Sequence, residues 1–240
     1  ENGNVLQAII FRQLSTCTKV RVETVGGLEA ALAAYDYANI ESLKIAGVLN
    51  DVDFLFIYRM MPKLKELDIS EVNITELPVQ AFYNSKNVEN LILPNTLTTI
   101  GEEMFYQSRL KTVEIPASVE TIGSYAFKGC SSLTTVTFEK GSQLKTIGRQ
   151  DGRAFLDCPK LMTVNASACT SVDEIGRYAF YNCRELRLFL IGTAVPPICR
   201  DDAFTGINPY SVLKVPSGCA DTYKRASEWN NFASITGLDE

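Results

Sequence analysis

Leu110–Ser132 reads LKTVEIPASVETIGSYAFKGCSS, and the order of residue types in this stretch returns along most of the chain. It holds Leu110, Val113 and Ile115, then Val119 and Ile122-Gly123, then Ala126-Phe127 and Cys130. The first apolar residues of successive units fall at Ile40, Leu64, Val88, Leu110, Leu133, Leu161, Leu186 and Tyr210, spaced by 22 to 28 residues. Self-similarity at this period is the signature of a solenoid, where a unit too short to bury its own apolar side buries it against its neighbours.

The first half of each unit reads apolar-x-x-apolar-x-apolar, as in Leu64, Leu67, Ile69 and Leu133, Val136, Phe138. Its closing period-2 alternation with β-branched residues predicts a short strand. Pro94, Pro116 and Pro216 follow such strands and should end them, because proline cannot donate to a ladder. In the second half, Ile100-Gly101, Ile122-Gly123, Ile147-Gly148 and Ile175-Gly176 place glycine where the chain needs a tight or positive-φ turn. A helical or 3₁₀ stretch should follow, carrying Phe82, Phe105, Phe127, Phe155, Phe180 and Phe204 as an interior aromatic ladder. Eight stacked strands would make one curved sheet roughly 35 Å long. The longest unit departs from the rest through Glu139–Gln143 and Arg149–Arg153, and the second insertion should bulge on the side opposite the strands.

Residues 1–39 do not fit the repeat. Glu1–Thr18 lacks the charged and apolar regions of a signal peptide, and Leu14-Ser15-Thr16-Cys17 is only superficially a lipoprotein cleavage box because Arg12 interrupts the apolar run before it. Lys19–Val25 alternates as a strand, and Leu28–Ala38 has helical spacing, so the two together should cover the first open edge. At the other end, Val212–Pro216 predicts a last strand. A helix holding Tyr223 and Ala226 should follow, with Trp229 and Phe232 packed over the final turn. The expected organisation is one domain, with residues 1–39 as N-terminal cap, 40–210 as repeats and 211–240 as C-terminal cap.

Composition narrows the function classes. The 240 residues carry 23 Lys and Arg against 28 Asp and Glu, a net charge of -5, with no dense basic run. Nucleic acid and anionic membranes usually require a basic footprint, so neither is expected as a partner. No apolar run reaches the length of a membrane span. The absence of histidine removes the commonest general base and the usual zinc ligand. None of the seven cysteines forms a C-x-x-C pair, so no metal site or cofactor is expected. Cys130, Cys158 and Cys183 each lie three residues after the repeat phenylalanine and predict a column of small buried side chains. A disulfide between neighbouring turns is also conceivable at their spacing.

The pattern L-x-x-V-x-I-P-x-x-V-x-x-I-G-x-x-A-F-x-x-C, intact from Leu110, resembles the BspA-like (Treponema pallidum type) leucine-rich repeat. The segments LKIAGVLNDVDFLFIYRMMPKLKELDI (43–69) and VLKVPSGCADTYKRASEWNNF (212–232) are similar to the ends of such proteins from anaerobic gut and oral bacteria. Ser70 stands where proline is usual, Glu103-Met104 replaces Tyr-Ala, and Ala81-Phe82 lacks the Ile-Gly lead-in, which implies looser early repeats. The resemblance implies an α/β leucine-rich-repeat solenoid with a concave sheet of parallel strands, turns and short helical segments on the other side, and caps at both ends. It also implies a cell-surface or secreted, extracytoplasmic protein. No catalytic residue carries over, because the motif positions are structural.

Function should therefore sit on strand positions that do not repeat. One column runs Lys44, Asp68, Ile92, Glu114, Thr137, Asn165, Leu190 and Lys214. The other runs Ser42, Glu66, Asn90, Thr112, Thr135, Thr163 and Leu188. Of these, Lys44, Glu66, Asp68, Asn90, Glu114, Thr137, Asn165, Leu188 and Leu190 form the candidate binding surface, unless the C-terminal cap covers the two leucines. The expected partner is a host or bacterial surface protein, and the alternative is a glycan. An acid/base role for Glu66, Asp68 and Glu114 is disfavoured, because on an open, wet face nothing should perturb their pKa values.

Overall fold

The computed structural model describes residues 17–149 and 151–239. The N-terminal reading of residues 1–16, including Arg12 and Leu14-Ser15-Thr16, lies outside them. The strands in chain order are β1 (Thr18–Val22), β2 (Ser42–Gly47), β3 (Glu66–Val72), β4 (Asn90–Ile92), β5 (Thr99–Ile100), β6 (Thr112–Ile115) and β7 (Thr121–Ile122). They continue as β8 (Thr135–Phe138), β9 (Thr146–Ile147), β10 (Thr163–Ala166), β11 (Glu174–Ile175), β12 (Leu188–Ile191), β13 (Ile198–Cys199), β14 (Val212–Val215) and β15 (Ser234–Gly237). Three helices are α1 (Leu28–Ala31), α2 (Asp51–Met60) and α3 (Ala220–Arg225).

The predicted repeat strands do stack as one parallel sheet, but it has ten strands rather than eight, in the order β1-β2-β3-β4-β6-β8-β10-β12-β14-β15. β1 extends this sheet by pairing with β2, and β15 extends its other end by pairing with β14. A second sheet of five two-residue strands, β13-β11-β9-β7-β5, runs along the opposite side and was not foreseen. The Ile-Gly pairs sit in or beside these strands, so two-residue pairing replaces a plain turn. Between the sheets lies a single continuous apolar core. Every second strand residue points into it, as in the buried Val113 and Ile115 of β6.

The phenylalanine ladder fills the middle of that core. Successive rings from Phe82 to Phe204 stack with centroids 5.4, 4.9, 4.8, 5.0 and 5.4 Å apart. Cys130, Cys158 and Cys183 are buried free thiols, so no disulfide links the turns. Their Sγ atoms donate instead to the carbonyls of Phe105, Phe127 and Phe155 one unit back, at 3.0, 3.1 and 3.2 Å.

Of the two alternatives for these glycines, positive φ holds at one. Gly148 has φ +74°, but Gly101, Gly123 and Gly176 do not occupy the left-handed region. At Gly176 the requirement is close approach: an added Cβ would overlap the Gly148 carbonyl oxygen and come within 2.9 Å of its carbon. The left-handed residues flank the phenylalanines instead, two before and two after each. They include Glu103, Tyr125, Arg153 and Tyr178 on one side and Gln107, Gly129, Asp157 and Asn182 on the other. This alternation turns N–H groups toward the next unit: Phe127 N donates to Ala154 O at 2.7 Å and Gly129 N to Leu156 O at 2.8 Å. Gly152 and Arg153 of the second insertion join this row: Tyr125 N donates to Gly152 O at 3.1 Å and Arg153 N to Arg177 O at 2.7 Å.

Both ends differ from expectation in detail. The helix expected over 28–38 shortens to α1 plus a 3₁₀ turn at Tyr37–Asn39, since Leu28 and Leu32 are buried while Tyr35 is exposed. The strand expected over 19–25 stops at Val22, and Val25 is exposed. α2 was not predicted. Its start is fixed by a capping box in which Asn50 accepts from Val52 and Asp53 N–H while Asp53 accepts from Asn50 N. Asp53 also accepts from Gly26 and Leu28 N–H, at 2.8 and 2.9 Å, tying α2 to α1. At the C-terminus Trp229 is buried in a 3₁₀ turn beyond α3, meets Phe204 at a tilt with centroids 5.1 Å apart, and donates to Pro197 O at 2.9 Å.

Candidate functional site

Parallel pairing in register brings the two columns together as adjacent rows on the outward face of the ten-stranded sheet. Ser42, Glu66, Asn90, Thr112, Thr135, Thr163, Leu188 and Val212 are successive Cα partners. Lys44, Asp68 and Ile92 form the first part of the second row, and Glu114, Thr137, Asn165, Leu190 and Lys214 the rest. The alternation that sends Val136 and Phe138 inward sends Thr135 and Thr137 outward, so the rows follow from strand periodicity alone. Parallel strands about 4.8 Å apart crowd these side chains against one another.

That crowding corrects the expectation of an open, wet face. Glu66 is only 5% exposed and Asp68 7%. Asn90, Glu114, Thr137, Asn165, Leu188 and Leu190 are half-buried. Leu188 and Leu190 lie between the outward residues of β10 and β14 in register, opposite Val212 and Lys214.

Electrostatics divides the face. At its N-terminal end Lys44 Nζ bridges Asp68 Oδ2 at 3.2 Å and Glu71 Oε1 at 2.7 Å. These partners, Glu71 foremost, raise the lysine pKa and hold its charge. Asp68 Oδ1 also accepts from Ser70 N and Oγ at 2.9 and 2.6 Å. Asn165 repeats this arrangement with Ser167 N and Oγ at 3.2 and 2.6 Å. Asn165 thus shapes the exit from β10 in the manner of an Asx turn, while Asp68 makes the same contacts within β3, and both face outward. Ser42 Oγ donates to Glu66 Oε2 at 3.2 Å.

Two carboxyls titrate unusually, contrary to expectation. Burial raises the pKa of Glu66, partly offset by the Ser42 hydrogen bond. Burial also raises that of Glu114, and the nearby Glu139 charge adds to it. The two do not form an acid/base pair, because β4 separates their strands and they occupy different rows. No group of side chains able to hold a metal ion occurs among the described residues. No described helix is long and apolar enough to cross a membrane.

Sequence reasoning missed Glu71 and Glu139. Glu71 reaches Lys44 because the β2–β3 register shifts between Lys44 and Ala46, an irregularity with no signal in the strand pattern. Glu139 lies just past β8, where its carboxylate accepts from Ala117 N at 3.0 Å.

Known proteins match this arrangement at the level of the repeat. The BspA type leucine-rich repeat region accounts for residues 53–187 in six copies, more than half of the chain. A leucine-rich repeat protein from Bacteroides ovatus is similar in structure at 16% identity and TM-score 0.44, over 95% of this chain and 71% of that one. A leucine rich cell surface protein from Faecalibacterium prausnitzii is similar at 18% identity and TM-score 0.32, over 92% and 79%. A leucine-rich repeat protein from Eubacterium ventriosum is similar at 20% identity and TM-score 0.37, over 69% and 59%. No curated protein matches.

Proposed function

The chain belongs to the BspA-type leucine-rich repeat family, and from that premise we propose that it is a non-enzymatic, extracytoplasmic binding module whose outward sheet face captures a protein partner at a cell surface. One observation carries the reading: the interior repeats from unit to unit, whereas the second outward row changes from strand to strand and the first repeats only over Thr112, Thr135 and Thr163. Along the second row, Lys44 and Asp68 give way to Glu114, Thr137, Asn165, Leu190 and Lys214. A row that mixes both charges, neutral polar groups and apolar Ile92 and Leu190 over successive strands suits an irregular protein surface, the usual ligand of a solenoid. Neither row contains an aromatic platform, which puts a glycan second. The lack of histidine in the whole chain supports a non-enzymatic role.

The test is capture of surface proteins from host-cell and bacterial-envelope fractions on the immobilised protein. Thr137→Arg and Thr163→Arg place bulk and charge in the middle of the face without touching the core. They should abolish capture of a discrete partner while leaving the thermal midpoint unchanged. Capture that survives both substitutions would move the site off this face, and hits on a glycan array with no protein captured would favour the alternative.

A further inference from the structure

A row of backbone hydrogen bonds ties each turn to the next, and its first member has acceptors that find no donor among the described residues. Glu103, Phe105 and Gln107 N–H donate to the Ser124, Ala126 and Lys128 carbonyls at 3.1, 2.7 and 2.7 Å. The same offsets recur at the three following junctions. The accepting carbonyls therefore face the preceding turn, at positions three before, one before and one after each phenylalanine. In the first turn these are the carbonyls of Val79, Ala81 and Tyr83. That turn has the same backbone form: Gln80 and Asn84 are left-handed, at φ 59° and 53°, and Phe82 and Asn84 donate forward at 3.1 and 2.7 Å. Its three carbonyls accept no hydrogen bond from any described residue.

The layer before this turn is α2. Phe54 continues the aromatic core by meeting Phe82 edge-on at 5.7 Å. The helix backbone cannot continue the row, however, because its N–H groups are spent on its own i−4 carbonyls. A groove of about 300 Å³ remains between helix and turn, lined by Asp51, Leu55, Tyr58, Val79 and Tyr83 among others. Val79 is 88% exposed, and Leu55 and Tyr58 also face solvent, on a helix whose Phe54 and Ile57 already serve the core.

We propose that this groove binds a short peptide segment of a partner protein, which supplies the missing donors. Alternate N–H groups of the peptide pair with the Val79, Ala81 and Tyr83 carbonyls, and its apolar side chains cover Leu55, Tyr58 and Val79. Main-chain pairing gives affinity and the side-chain contacts give selectivity, as in strand addition to an open sheet edge. Because the internal turns place left-handed residues two before and two after the phenylalanine, the segment favours glycine or asparagine at two positions four apart. Asp51 at the start of α2 favours a lysine or arginine at the peptide end beside it. This surface is separate from the sheet face and does not rest on that reading.

The experiment uses the full chain and a fluorescein-labelled peptide of residues 124–131 carrying Cys130→Ser, whose Tyr125, Phe127 and Gly129 N–H groups are the donors at an internal junction. Fluorescence polarisation should show saturable binding with Kd at or below about 1 mM. N-methylation at those three positions, or Leu55→Lys in the protein, should weaken it at least tenfold, about 1.4 kcal/mol. Methylation at Ala126 should have little effect, and the unfolding midpoint of the Leu55→Lys variant should match the parent. Equal binding of the trimethylated peptide, or none at 1 mM, would overturn the proposal. Binding that appears only after deletion of residues 1–16 would overturn it in favour of the chain's own segment. A concentration-dependent dimer abolished by Leu55→Lys would overturn it in favour of a second copy.

Discussion

Gly101 and Gly176 occupy the same place in the repeat, yet replacing each by alanine should have opposite effects. At Gly176 a methyl group would overlap the Gly148 carbonyl oxygen and come within 3.1 Å of Gly152 Cα, so backbone on both sides must move. Such overpacking costs about 1–3 kcal/mol. The movement also strains the hydrogen bond from Gly176 N to Ile147 O, now 2.7 Å, whose net worth is about 0.5–1.5 kcal/mol. Gly176→Ala should therefore destabilise the fold by about 2–4 kcal/mol. At Gly101 the only neighbour of an added Cβ is the flexible Met104 Cε at 3.4 Å, and φ is not positive. Gly101→Ala should be neutral or stabilise by up to about 1 kcal/mol, through lost freedom of the unfolded chain. Urea unfolding followed by far-UV circular dichroism, with unchanged slope, measures both. Equal effects within about 0.5 kcal/mol, near the typical error of additivity, would refute the close-approach account.

Other outcomes follow from the same packing. Phe155→Ala removes a fully buried ring stacked 4.8 and 5.0 Å from its neighbours and should cost about 3–5 kcal/mol in the same urea assay. The Glu114 carboxyl is raised by burial, so its ionisation opposes folding: the penalty is absent below the unfolded pKa and complete above the folded one. Glu114→Gln should accordingly raise stability at pH 7, with the gain vanishing in acid. Tyr223 is pushed up to about 12, chiefly by burial, so the folded state keeps a proton that the unfolded chain loses near 10. Stability should fall as pH rises through that window, and tyrosinate absorbance of a Tyr223→Phe variant should lose its latest-titrating component. Burial raises the thiols of Cys130 and Cys158, and that of Cys169 to about 11, so a thiol reagent at pH 8 should modify them only after unfolding.

The repeat was legible because each unit must solve the same burial problem with the same residue types. Leu110, Val113 and Phe127 recur in kind, and the phenylalanine ladder stands where their spacing put it. The two outward rows were legible for a related reason: strand alternation assigns faces, and parallel stacking of equal units keeps register. The wetness of the face was not. Glu66 and Asp68 read as exposed because nothing in a strand pattern records how closely a neighbouring strand's side chains pack, or that Glu71 reaches Lys44 across a register shift.

Local sequence therefore determined the solenoid, its period and which side chains face in or out, since these depend on interactions repeated within and between adjacent units. Only tertiary structure decided why Gly176 is needed and Gly101 is not, because the approach of Gly176 to Gly148 joins two turns. It alone raised the Glu114 carboxyl above ordinary titration, through burial first and then the company of Glu139. It also decided where the repeat breaks. α2 satisfies its own backbone, so the first turn keeps three carbonyls facing an apolar groove, a consequence of two unlike elements meeting that neither one's sequence contains.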